Sequence, residues 1–344
     1  MALLEALTSA DLKRYFQRSA ARPALQCGAA LLAGVTRRGC RGIVLVTAAL
    51  LLPCRITVQS QDAPVFKADA ELVVLHVTVK DRNGAYVAGL PREAFSVVED
   101  GRAQTVRLLT DTDTPVTVGL LIDSSASMYP IRHLVIAGAT AFADASHPRD
   151  EIFALAFNEA VSPALSPSAP FTSDSTVLRA ALERSVNARG RTALYDAISA
   201  GVDYLSGGSR ERKALIVLSD GGDNASRVTR DEAVRKAQAS NAVIYTIAVV
   251  DPGSRDANPK LLRELAQASG GQWFRPERPR EIADVLGQIA RDIRHTYTVG
   301  YMPTNTARDG TFRNLRVVVT APQGRPLVVR SRRGYVAGTT EVPR

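Results

Sequence analysis

Between residues 115 and 293 two kinds of segment alternate, and that alternation leaves few folds open. PVTVGLLID (115–123), EIFALAFN (151–158), KALIVLSD (213–220) and AVIYTIAVVD (242–251) are apolar almost throughout. Between and after them come IRHLVIAGATAFADA, VLRAALERS, ALYDAISAGVDYL, RDEAVRKAQAS, PKLLRELAQAS and REIADVLGQIARDIR, whose apolar residues recur at helical spacing. QWFRP adds one more short strand. A strand with no polar face must be covered on both sides, and an intervening helix makes the next strand parallel. The expectation is a doubly wound α/β domain over residues 114–293, its ligands bound beyond the carboxyl ends of the strands.

The flanks read differently. ELVVLHVTVKD (71–81), FSVVEDG (95–101) and TVRLLT (105–110) lie before the centre; HTYTVGYMP, FRNLRVVVTAP and RPLVVRSRRGYV follow it. These are β-branched or alternating runs broken by Gly, Pro and Asn, and Asn83-Gly84 is a strong hairpin signal. Neither flank has enough strands to bury two sheet faces alone. Residues 61–113 and 294–344 are therefore expected to pair as one β-sandwich with the centre inserted; two separate small β modules are the alternative.

Charge and cysteine both concentrate at the front. The net charge is +9, but residues 1–60 hold eight Lys/Arg against Glu5 and Asp11, leaving about +3 for the remainder. No aromatic-interleaved basic stripe marks the body as a nucleic-acid binder. Cys27, Cys40 and Cys54 all precede residue 61, which excludes a disulfide framework, a thiolate metal site or a cysteine nucleophile from the body. GIVLVTAALLLP (42–53) follows Arg37, Arg38 and Arg41 in the order of an export signal and is short for a membrane span. Residues 1–60 are thus expected to target the chain for export, with cleavage after Val58-Gln59-Ser60 leaving Gln61 first; an uncleaved anchor is the alternative. The long stretch before the signal suggests a true start near Val35.

Three loops at the expected ligand edge carry the chemistry. The first strand ends in Asp123-Ser124-Ser125-Ala126-Ser127, a later strand runs into Asp220-Gly221-Gly222-Asp223-Asn224, and Gly190-Arg191-Thr192-Ala193-Leu194 opens a central helix. Alternate residues of an extended loop point the same way, so Asp123, Ser125 and Ser127 can face one point. Two carboxylates and three hydroxyls form an all-oxygen set suited to a hard divalent cation, Mg²⁺ or Mn²⁺, with water completing the shell. Two carboxylates balance the ion's charge and leave a position for an outside carboxylate. Each residue also has a plainer role: Asp123, Ser125 and Thr192 as helix caps, Asp220 within an ordinary turn, Arg189 and Arg191 as solvated loop residues. A helix–loop–helix calcium loop starting at Asp220 fails because its sixth position is Ala225.

The D-x-S-x-S loop at Asp123, Ser125 and Ser127, the G-x-T-A-L-x-D-A segment around Thr192 and the L-S-D-G loop at Asp220 resemble the von Willebrand factor type A (VWFA) domain. The resemblance implies a Rossmann-like, mainly parallel sheet and a metal-ion-dependent adhesion site. In it Asp123, Ser125 and Ser127 would hold Mg²⁺ (or Mn²⁺ or Ca²⁺), with Thr192 and Asp220 in direct or water-mediated support. A partner protein's Glu or Asp would complete the shell, and the last helix (281–293) would move with the ion's coordination. Ser219 stands where Thr is commoner, and Asp223 adds a carboxylate that can supplement Asp220. The lead-in around V-K-D-R-N-G and F-S-V-V-E-D-G, with the ending Y-T-V-G-Y-M-P, resembles bacterial VWFA-related proteins of the kind found in acidobacteria.

An enzyme is the competing class. There is no G-x-S-x-G elbow, no phosphate-cradling G-x-x-x-x-G-K and no H-E-x-x-H, and none of His76, His133, His147 and His295 follows a strand of the central sheet. The expectation is an exported, non-enzymatic, cation-dependent protein-binding module without nucleic-acid or small-molecule substrate. A structural envelope scaffold or a metal-assisted hydrolase are the alternatives.

Overall fold

A computed structural model describes residues 72–249, 257–321 and 324–338, all within one compact unit spanning residues 66–344. The signal-like segment 1–60, its three cysteines and the start at Gln61 lie outside the described residues.

The first strands are β1 (Val73–Asp81), β2 (Phe95–Glu99), β3 (Arg102–Gln104) and β4 (Val106–Thr110). The central region runs β5 (Val116–Asp123), α1 (Arg132–Ala145), β6 (Glu151–Phe157), β7 (Val161–Pro163), α2 (Ser175–Ser185), α3 (Leu194–Ser206), β8 (Arg212–Ser219), α4 (Arg230–Ala239), β9 (Val243–Ala248), α5 (Pro259–Ser269), β10 (Trp273–Phe274) and α6 (Ile282–Arg294). The chain closes with β11 (Thr296–Tyr301), β12 (Phe312–Val319), β13 (Leu327–Arg330) and β14 (Gly334–Val336).

The central sheet has the order β10-β9-β8-β5-β6-β7, parallel throughout except at the β7 edge. Every residue of β5 is buried, as its unbroken apolar run requires. Val118, Leu120 and Ile122 face a core shared with α1, α2 and α6, while Leu121 faces the other core, with α3, α4 and α5. Gly119 lies between them because a Cβ there would sit 2.3 Å from Phe153 Cζ, whose ring takes that space.

Helix ends follow local chemistry. Thr229 and Glu232 form a capping box on α4, and Asp174 accepts from Thr176 N and Val177 N at the start of α2. Asn258 caps α5, Pro259 occupies its first turn, and Gly270 ends it in the left-handed conformation at φ 83°.

The flanks form two four-stranded antiparallel sheets, β13-β1-β11-β4 and β14-β12-β2-β3, which share a core of Leu75, Val77, Phe95, Val97, Tyr297, Val299, Tyr301 and Leu315. This is one sandwich built from both sides of the inserted domain. The hairpin expected at Asn83-Gly84 forms but stays short, with Asp81 N donating to Ala85 O and Val87 N to Val79 O. Within it, Lys80 and Tyr86 make an isolated bridge. Its length is set by the neighbours of β1: β13 takes Thr78–Asp81 on one edge and β11 takes Val73–Thr78 on the other, leaving only the stretch past Thr78 for the local partner.

Candidate metal centre

Strands β5 and β8 are hydrogen-bonded neighbours in register, Ile122 opposite Leu218. The chain leaves β5 toward β6 on one side and reaches β8 on the other, so the order reverses here, the place where open α/β sheets hold their ligands beyond the carboxyl ends of the strands. Asp123 is the last residue of β5; Ser219 ends β8 and Asp220 follows it.

Asp123 is fully buried. Its Oδ1 accepts from Ser125 N at 2.9 Å and its Oδ2 from the Ser219 hydroxyl at 2.7 Å. Burial pushes the carboxyl up to about 6, helped by the nearby Asp220 charge and opposed by the Ser125 and Ser219 hydrogen bonds. The Ser125 and Ser127 hydroxyls lie 3.1 Å apart, and Ser127 Oγ reaches Asp220 Oδ2 at 3.5 Å. Asp220 Oδ1 accepts from Gly222 N, and Gly221 (φ 84°) lets the loop press on α5, where a Cβ would meet Asn258 O at 2.4 Å. Asp123, Ser125, Ser127 and Asp220 thus form one connected set that is buried except at exposed Ser127.

Thr192 joins through the backbone. Its carbonyl accepts from Asn224 N and Ala225 N, and its own N–H donates to Asn224 Oδ1. The loop before it is fixed to the Asp123 loop by Ala126 N to Gly190 O (3.3 Å) and Arg189 N to Ser124 O (2.8 Å). The Thr192 hydroxyl makes no hydrogen bond among the described residues, although Thr192 is 92% buried by area (8% exposed).

The plainer capping roles do not appear. Ser125 precedes a short 3₁₀ turn without a side-chain cap, Ile131 precedes α1 and Ala193 precedes α3, each likewise uncapped by its side chain. Asp223 turns to α3 instead of the ion position: its Oδ2 accepts from Tyr195 N and the Ser226 hydroxyl. It satisfies an orphan N–H of the helix's first turn.

Ser124 was not singled out by its sequence pattern. It is buried, and its hydroxyl accepts from Asn187 N at 2.7 Å and Ala188 N at 3.0 Å. That grip holds Ala188 in the left-handed region at φ 51°, a conformation rare for alanine. Only its place in a D-S-S-A-S run hinted at the role.

The donor set fits a hard divalent ion: oxygens only, two neighbouring carboxylates whose mutual repulsion a cation relieves, and the Ser125 and Ser127 hydroxyls between them. Among the described residues no group of three or more His, Cys, Asp or Glu side chains is placed to hold a metal, so any ion here relies on the hydroxyls.

An open parallel sheet covered on both faces, with carboxylate and hydroxyl loops at its switch point, defines a doubly wound α/β domain with a polar upper crevice. Residues 118–288 match the von Willebrand factor type A domain, and the chain belongs to that family through this domain. A von Willebrand factor type A protein from Catenulispora acidiphila is similar over 80% of this chain and 76% of its own, at 15% identity and TM-score 0.46. The von Willebrand domain of the type V pili tip protein Mfa5 from Porphyromonas gingivalis is similar over 53% of this chain and 96% of its own, at 15% identity and TM-score 0.44. The PilB minor pilin from Streptococcus sanguinis is similar over 54% and 63%, at 12% identity and TM-score 0.43. Comparison with curated proteins gives no match.

Proposed function

We propose that this chain is an exported protein-binding module in which a divalent cation joins the crevice to a carboxylate of another protein. Asp123, Ser125 and Ser127 would hold the ion, Thr192 and Asp220 would support it, and no bond of the partner is broken. The observation that carries this reading is the connected set of two carboxylates and two hydroxyls across the β5–β8 switch point. Membership in the von Willebrand factor type A family supports the same reading. Oxygen donors of mixed charge suit Mg²⁺ first, then Mn²⁺ or Ca²⁺. The ion would neutralise the Asp123–Asp220 repulsion; the chain's own residues would orient it and keep water from its inner side. Export rests on the arrangement of residues 1–60; among the described residues no helix is long and apolar enough to cross a membrane.

Thermal unfolding of the full chain in EDTA and then in each cation tests this. An ion at roughly 100 times its dissociation constant raises stability by about 2.7 kcal/mol if it binds only the folded state. The expected result is a cation-dependent rise in Tm that Asp123→Ala abolishes. A Tm indifferent to all three ions would instead favour the scaffold reading.

A further inference from the structure

Three arginines on the loops around the site have no carboxylate partner among the described residues. Arg189 and Arg191 flank Gly190, whose carbonyl accepts from Ala126 N between the two ion-facing serines. Arg227 lies two residues beyond Ala225, whose N–H donates to the Thr192 carbonyl. All three arginines are exposed, and none has a carboxylate partner among the described residues. Tyr129, two residues past Ser127, is 72% exposed.

These residues stand on fixed backbone. Ser124 pins the 187–188 turn through two N–H groups, Glu159 Oε1 accepts from Arg191 N at 3.3 Å, and the Asp196 carboxylate accepts from Arg227 N and Val228 N at 3.0 and 2.8 Å. Asp196 is in turn held by Ser226 Oγ, which accepts from its N–H. Glu159, also exposed, is the acidic group facing this loop, and its carboxylate is engaged by backbone. With a divalent ion balancing Asp123 and Asp220, the three arginines are matched in number by Glu159, Asp196 and Asp223, but each of those acids is engaged by backbone N–H groups, whereas the arginine heads have no carboxylate partner among the described residues.

We infer that the site takes an acidic stretch, not a lone carboxylate: one Asp or Glu on the ion and further acids on Arg189, Arg191 and Arg227, with Tyr129 lying against the partner chain. The inference rests on the proposed cation site and narrows its partner to a segment with clustered acids. Tyrosine and arginine are the residue types that anchor such contacts. Rim charges act mainly on association and specificity, and salt screens them.

The test uses two fluorescently labelled peptides in the same Gly/Ser/Tyr background, one with a single Asp and one with three. Their binding to the full chain is followed by fluorescence anisotropy in Mg²⁺ and in EDTA. Two exposed ion pairs beyond the ion contact should favour the tri-acidic peptide about fivefold at about 0.1 M salt. The preference should collapse toward unity at about 1 M salt, where the screening length is roughly 3 Å. It should also shrink in Arg189→Gln/Arg191→Gln, and separately in Arg227→Gln, with Tm unchanged in both. Equal affinities, both lost in EDTA, would overturn the acidic-stretch inference and leave the cation site standing. Tri-acidic binding that survives EDTA and Asp123→Ala would overturn the cation site and, with it, this inference. Binding of neither peptide would overturn both.

Discussion

A serine hydroxyl helps Asp123 carry its charge against burial. The carboxylate is fully buried beside Asp220, with Ser219 Oγ donating to its Oδ2 and the Ser125 N–H to its Oδ1. Removing a partner from a buried charged group costs about 1–3 kcal/mol. Ser219→Ala should therefore lower stability by about that amount in EDTA, by urea unfolding, whereas Ser219→Thr should keep it. Retention of full stability in Ser219→Ala would mean that another group satisfies Oδ2. At this scale the sequence was readable only where side-chain type dictates chemistry. Asp123, Ser125, Ser127, Thr192 and Asp220 were legible as oxygen donors at one sheet edge. The acceptor role of Ser124 was not, because it depends on a loop more than sixty residues away in the chain. Asp223 looked like a further ligand, yet the nearby Tyr195 N–H claims it.

The loops that meet at the crevice are elements in their own right, and one of them stores strain. Ala188 holds φ 51° and is followed two residues later by Gly190 at φ 83°. Glycine reaches the left-handed region without penalty, where alanine costs roughly 1 kcal/mol. Ala188→Gly should thus leave stability unchanged or raise it by up to about 1 kcal/mol, read as a shift in urea midpoint. A loss would show that the buried methyl outweighs the relief. Element type was legible wherever it had a local cause: capping residues and Gly270 set helix ends, and unbroken apolar runs marked the parallel strands. Strand pairing was less legible. Asn83-Gly84 promises a hairpin on local grounds and a short one forms, but the main partners of β1, β11 and β13, come from the far end of the chain. A turn signal states only that the chain reverses, not which neighbour it then finds.

Across the whole molecule, the junction between sandwich and inserted domain is held by buried charge. Asp292, near the end of α6 and fully buried, pairs with Lys80 of β1 at 2.8 Å and Arg330 of β13 at 2.5 Å. The Arg330 charge leads the Lys80, Tyr86 and Arg330 contacts in holding the carboxyl below its ordinary range against its own burial. Its stabilising contribution is present above the ordinary carboxyl range and lost as pH falls through the lower native value. Asp292→Ala leaves two cations without their partner and should cost about 3–5 kcal/mol. His76, on β1, titrates the other way. Burial, with Arg212 and Arg332 adding to it, pushes the imidazole down to about 3, and its Nδ1 has no hydrogen-bond partner. The unfolded chain therefore binds a proton from about pH 6.5 downward that the native chain refuses, so stability rises with pH across this window. Lowering pH from 7 to 5 should cost roughly 1–2 kcal/mol through His76. His76→Gln should flatten that part of the urea-stability profile; an unaltered slope would place the titration elsewhere. The sandwich itself was legible as an economy of strands, whereas this ionic junction was not, since its members come from three distant segments.

One consequence of the inserted architecture belongs to synthesis. β1 is made early, but both of its neighbours, β11 and β13, lie more than two hundred residues downstream. At ordinary elongation rates that is a wait of roughly 10–40 s. Until then β1 has only the short arm after Gly84 against it, and by the end of the wait the inserted domain has all its strands. The nascent protein is thus a folded bead trailing an open strand, and a ribosome that stalls after α6 releases a well-formed crevice with a sticky handle.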